Sequence, residues 1–190
     1  MNVARCLVTL ALGGVVVATA PSAFAAPVTT GAGGDGPTIT ATTVSASGES
    51  HGWYRSAVTV VFHCTPGSAP LAMSCPGPAY IDNSGAGQSA TGSVTDTNGT
   101  TATASITGIN VDRERPTVAV HGVRPHAVYA AVRRLTCLAH DRYSGVHTCR
   151  IETTRVEHPR LITIRYVAVA TDWAGNRNNA HSYYSVRRTG

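Results

Sequence analysis

Apolar and polar positions alternate over two long stretches of the chain. Val58, Val60, Phe62 and Cys64 alternate with Ala57, Thr59, Val61 and His63, and Ile162, Ile164, Tyr166, Ala168 and Ala170 alternate with Leu161, Thr163, Arg165, Val167 and Val169. A period of two predicts strands with one buried face, because successive side chains of an extended backbone point to opposite sides. Thr100 to Val111 and His181 to Arg187, rich in Thr, Val, Ile and Tyr, predict two closing strands. Pro66-Gly67, Pro76-Gly77-Pro78, Ser84-Gly85, Asn98-Gly99 and Ser144-Gly145 supply turn chemistry between such runs. With no convincing helical spacing anywhere, the pattern predicts an all-β chain of short strands in antiparallel sandwiches.

The landmarks occur twice. Pro37, Cys64, Cys75 and Thr95-Asp96-Thr97-Asn98-Gly99 are followed by Pro116, Cys137, Cys149 and Thr171-Asp172-Trp173-Ala174-Gly175. The cysteine spacings are 11 and 12 positions, and the second cysteine precedes its aspartate by 21 and 23. Asp112-Arg113-Glu114-Arg115-Pro116, charged and ending in proline, stands where one repeat stops and the next begins, as a domain boundary does. The expected units are therefore residues 37–112 and 113–190. The alternative is a single β domain. Units of this size have marginal cores, which a covalent staple supports.

The first 25 residues form an expected signal peptide, with Arg5 as the positive start, an apolar run from Leu7 to Ala20, and the small-residue box Ala23-Phe24-Ala25 before a cut at Ala25/Ala26. The apolar run is too short to span a bilayer, which takes about 20 residues. Residues 26–36, rich in Gly, Thr and Pro, read as a flexible leader. The expected location is secreted and extracellular, with no transmembrane segment after cleavage. Cys6 leaves with the signal, and the four remaining cysteines, an even number in an exported chain, predict disulfides. Three pairings are open to them, although the spacing places one close pair in each unit.

The phrases Gly52-Trp53-Tyr54-Arg55-Ser56-Ala57-Val58-Thr59-Val60, Cys137-Leu138-Ala139-His140-Asp141-Arg142-Tyr143-Ser144-Gly145-Val146-His147-Thr148-Cys149 and Ala170-Thr171-Asp172-Trp173-Ala174-Gly175-Asn176 carry a family likeness. Over about residues 37 to 188 the chain resembles the immunoglobulin-like (Ig-like) repeats of secreted and surface-attached bacterial proteins. The resemblance implies two tandem Ig-like antiparallel β-sandwich domains, with a local bridge in each: Cys64 with Cys75, and Cys137 with Cys149. The first unit departs from the pattern at Ser68, where the second has Asp141, and at Thr97-Asn98-Gly99-Thr100, which replaces Trp173-Ala174-Gly175-Asn176. Such modules serve as spacers, adhesins and accessory domains, so the likeness speaks to fold more than to function.

Candidate chemistry is sparse. Gly31-Ala32-Gly33-Gly34-Asp35-Gly36 matches a dinucleotide-binding expression but lacks the strand before it and the helix after it that would receive a pyrophosphate. His121, His126, His140 and His147 show no metal-binding helix spacing, and no G-x-S-x-G elbow marks an activated serine. Asn98-Gly99-Thr100 fits a glycosylation acceptor and is read as a tight turn. Asp96, Asp141 and Asp172 each precede a glycine and are assigned to fixing their turns by accepting backbone N–H bonds. Calcium ligation is the alternative for Asp141 and Asp172. No catalytic residue, metal or cofactor is expected.

All 15 basic residues are Arg. Residues 26–112 hold one Arg and five acids, and residues 113–190 hold 13 Arg and five acids, for formal charges of −4 and +8. The strongly basic second unit suits an anionic partner, such as a cell-wall polymer, a polysaccharide or a surface protein, since the guanidinium fork holds carboxylate or phosphate with two hydrogen bonds. Arg133, Arg134, Arg150, Arg155 and Arg165 are the candidate contacts there, with Trp53 and Tyr54 as aromatic candidates in the first unit. The expectation is a secreted, non-enzymatic binding or adhesion module. The competing expectations are a structural spacer without its own ligand and a small secreted hydrolase.

Overall fold

A computed structural model describes residues 27–30 and 34–188. The expected signal peptide, its cleavage site and Gly31 to Gly33 of the glycine-rich run lie outside the described residues. Among the described residues there are strands and turns and no helix.

Among the described residues, the first half contains eight strands. These are β1 (Pro27–Thr30), β2 (Thr38–Ser45), β3 (Glu49–Ser50), β4 (Trp53–Tyr54), β5 (Val58–Thr65), β6 (Ala79–Ile81), β7 (Gly85–Thr95) and β8 (Thr101–Val111). One sheet has the order β2-β5-β6, and the other the order β1-β8-β4-β3, with β7 paired along the opposite edge of β8. The alternation read from the sequence supplies the β5 part of the core, and strands without it complete the rest. Ile39, Ala41, Val58, Val60, Phe62 and Ile81 of the first sheet meet Ala90, Val94, Ala102, Ala104, Ile106, Ile109 and Val111 of the second. Each fully buried aliphatic side chain contributes about 1.5–3 kcal/mol by leaving water.

The second half contains β9 (Thr117–His121), β10 (Val128–Tyr129), β11 (Thr136–His140), β12 (Val146–Glu157), β13 (Leu161–Asp172) and β14 (Arg177–Arg187). Here the sheets are β9 with β11, and β10-β14-β13-β12. The inward side of β13 and β14 buries Ile164, Tyr166, Tyr184 and Val186, with Val120, Val123, Tyr129, Leu135, Ile151 and Ile162 packed partly buried against them. This core is smaller than the first and open at one side, where Leu135, Ile151, Ile164 and Tyr184 line a recess of about 280 Å³. Pro37 and Pro116, the residues that start the two repeats, are both fully buried.

Cys64 and Cys75 stand at disulfide distance (Cα–Cα 5.6 Å), as do Cys137 and Cys149 (5.8 Å), the pairing that the resemblance implies. Three elements differ from the expected pattern. Within the leader, Pro27–Thr30 is not irregular but pairs antiparallel with Thr103–Ile106. It satisfies the edge of β8 that β7 leaves free. Ahead of the alternation that starts at Ala57, Trp53-Tyr54 forms a short strand of its own, β4, which joins the sheet of β8 while Val58 of β5 joins that of β2. Ser84-Gly85 is not wholly turn, since Gly85 already pairs with Val111 at the start of β7.

Candidate functional site

Two aspartate turns are built alike. In each, the aspartate N–H donates to the carbonyl four residues on (Thr100 at 3.0 Å, Asn176 at 3.1 Å), and that residue's N–H returns to the carboxylate Oδ1 at 2.8 Å. The glycine three residues on closes the turn in the left-handed region (Gly99 φ 84°, Gly175 φ 89°), where a side chain would be strained. Asp141 acts similarly, its Oδ1 accepting from the N–H groups of Tyr143 (3.2 Å) and Gly145 (2.8 Å).

The structure adds a third acid to the second pair. Asp112 directly follows β8, and its N–H donates to Tyr54 O at 2.8 Å, so its backbone belongs to the first half. Its carboxylate belongs to the second. Asp112 Oδ2 accepts from Ser144 N–H at 3.0 Å and from the Ser144 hydroxyl, while Oδ1 accepts from Glu114 N–H. Asn176 Nδ2 donates to Asp112 O at 2.9 Å, and Asn178 Nδ2 to Pro116 O at 2.8 Å. One oxygen from each of Asp112, Asp141 and Asp172 falls within 4.8 Å of the others.

Asp112 is wholly buried and Asp172 is 1% exposed. Asp141 Oδ2 and Asp172 Oδ2 are enclosed and accept no hydrogen bond. Burial pushes the Asp172 carboxyl above its ordinary range; hydrogen bonding from Asn176 opposes the shift, and the carboxylates of Asp112 and Asp141 add to it. The ion pairs among the described residues, Arg155–Glu157 and Arg188–Glu157, lie elsewhere. A ring cluster adjoins the same junction. His51 of the first half stands 5.1 Å from His147 and 4.9 Å from Trp173, and His147 stands 4.1 Å from Trp173.

The surface candidates do not gather into one patch. Trp53 and Tyr54 are half-buried on β4, with Tyr54 packed on the first core. Arg133 lies over the Tyr129 ring at 5.4 Å, and its backbone exchanges hydrogen bonds with the Tyr184 hydroxyl. Arg134 follows in the same connection, its carbonyl against Gly122. Arg155 is held by Glu157 at 3.0 Å and pairs across strands with Ile164, on the inward side beyond the core. Arg150 and Arg165 do share a face. In the registers of β12, β13 and β14, Arg150, Val169 and Asn179 stand side by side, as do Thr154, Arg165 and Tyr183, and Thr171 with Arg177. This outward face also carries His181 and Arg187, and Glu152 is its one acid. Arg150, Glu152, Val169, Thr171 and Arg177 line a shallow recess of about 290 Å³ on it.

Sequence reasoning thus omitted Asp112, Ser144, Asn176 and His51 at the junction, and Arg177, His181 and Arg187 on the sheet face. The strand register places the latter group, and strict alternation from Arg165 would have found His181 to Arg187 only with β14 aligned. No family model matches the chain, and neither curated proteins nor solved structures give a significant match.

Proposed function

We propose that the chain is a secreted, non-catalytic protein of two tandem Ig-like β-sandwich domains, residues 37–112 and 113–190, that holds an anionic extracellular polymer on its second domain. The observation that carries this reading is the outward face of β12-β13-β14, where Arg150, Arg165, Arg177 and Arg187 accompany Tyr183 and His181 against the single acid Glu152. Tyr183 is 41% exposed and Val167 40%, so apolar surface lies between the guanidinium groups. An extended chain bearing carboxylate or phosphate groups fits this chemistry: the arginines take the charges, and the tyrosine ring takes the backbone of the polymer. The tandem arrangement is supported by the two aspartate turns with one hydrogen-bond pattern, the two buried prolines and the one local cysteine pair in each half. Secretion is supported by the signal-like first residues and by cysteine pairs suited to an oxidising compartment.

The test is retention of residues 26–190 on a cell-wall polymer matrix under a salt gradient. The wild type is expected to bind at low salt and elute as screening grows, and Arg150→Ala/Arg165→Ala/Arg177→Ala to elute markedly earlier. Passage of the wild type through anionic wall polymer and acidic polysaccharide alike at low salt defeats the reading and favours a spacer.

A further inference from the structure

We propose that Asp112, Asp141 and Asp172 together hold one hard divalent cation of the calcium class at the junction between the two halves. The three carboxylates come from separate stretches of chain, yet one oxygen of each lies within 4.8 Å of the others. Calcium binds oxygen at about 2.3–2.6 Å, so ligands on opposite sides of one ion stand about 5 Å apart, and a single ion can touch all three. Magnesium, smaller and tied to a strict octahedron, fits such a span less readily.

Proximity of acids alone would not mark a site, but the bonding of these acids does. Asp172 is 1% exposed, and its Oδ2 accepts nothing; Asp141 Oδ2 is enclosed and likewise accepts nothing. The other oxygen of each is held by backbone N–H groups, from Asn176 to Asp172 and from Tyr143 and Gly145 to Asp141. Each carboxylate is therefore fixed in orientation with one oxygen left over. A buried carboxylate oxygen without a donor is costly unless a cation or a proton meets it. Although residues 113–190 hold 13 arginines, none forms an ion pair with these three acids among the described residues.

The first half provides an internal contrast. Asp96 makes the same turn as Asp172, but Ser68 occupies the place of Asp141, so one site per chain follows. Three carboxylates, completed by water, place the affinity in the range of about 10⁻⁴–10⁻³ M found for extracellular calcium modules. Because the Asp112 backbone is bonded to Tyr54 while its carboxylate reaches Ser144, an ion here ties the two halves together.

The experiment uses the disulfide-bonded chain, stripped with a chelator and titrated with calcium chloride by calorimetry and by thermal unfolding. One site is expected, with Tm rising by about 5 °C or more once calcium reaches roughly a hundred times its Kd. Asp141→Asn and Asp172→Asn keep an acceptor for the turn N–H groups and lose the charge; each is expected to weaken binding at least about tenfold. Terbium gives the location without touching the acids: its luminescence, excited through Trp173 beside Asp172, is expected to be displaced by calcium and lost in Trp173→Phe. Absence of both heat and Tm shift at about 10 mM calcium, roughly ten times the weakest affinity of this class, overturns the proposal. So does wild-type binding by both folded aspartate variants, or undiminished terbium luminescence in Trp173→Phe.

Discussion

Phe62 and Gly92 show how a single missing side chain shapes this protein. A Cβ at position 92 would stand 2.7–3.0 Å from three atoms of the Phe62 ring, closer than carbon atoms tolerate. The ring lies in the main core, where Val60 and Val94 are also buried, and has little room to move. Gly92→Ala is therefore expected to lower stability by about 1–3 kcal/mol through overpacking, read from chemical denaturation of the whole chain. This contact explains why β7 was invisible in the sequence. Its inward positions are Ala90, Gly92 and Val94, too small to register as an apolar alternation, and their packing is supplied by an aromatic from another strand. The aspartates divide in the same way. Asp96 and Asp172 were legible because a local turn needs only neighbours in sequence. Asp112 shows in the sequence only as the start of a charged boundary run, because its partners, Ser144 and Asn176, lie 32 and 64 positions away.

Strands are legible where every second position is apolar along one face. β5 and β13 meet that condition, and the buried Val58, Val60, Ile164, Tyr166, Ala168 and Ala170 fall on the alternating positions read from the sequence. β1 and β2 do not, since Thr dominates both, and only pairing across the sheets reveals them. The two cysteine pairs act at this same scale, each fastening a strand to the chain that follows. A bridge closing a loop of this length contributes about 3 kcal/mol in the chain-entropy account. The halves differ in how far they rely on it: among the described residues, thirteen buried apolar residues pack together in the first core and four in the second. Removing Cys137 and Cys149 together, as the double Ala variant, is expected to lower Tm further than removing Cys64 and Cys75, with parallel melts of the two variants as the measurement.

The molecule as a whole joins an acidic half to a strongly basic one, at formal charges of −4 and +8 before histidine is counted. Copies of such a chain attract one another head to tail, and exposed charges separated by more than about 8 Å are screened at physiological salt. Light scattering is therefore expected to show association at low ionic strength that reverses as salt is raised; association unaffected by salt would place its cause in apolar surface instead. At this scale, sequence gave the charge division and the order of elements, while the junction needed the fold, because its acids, rings and amides are drawn from both halves. Asp112 carries a mechanical consequence. A load applied between the two ends of the chain passes through residues 112–116 as main chain, but bending at that point must also pull the Asp112 carboxylate from Ser144 and its carbonyl from Asn176. The joint is thus a bracket with a brace across it: it resists rotation before either core is disturbed, and its stiffness is set by a handful of hydrogen bonds clustered around one aspartate.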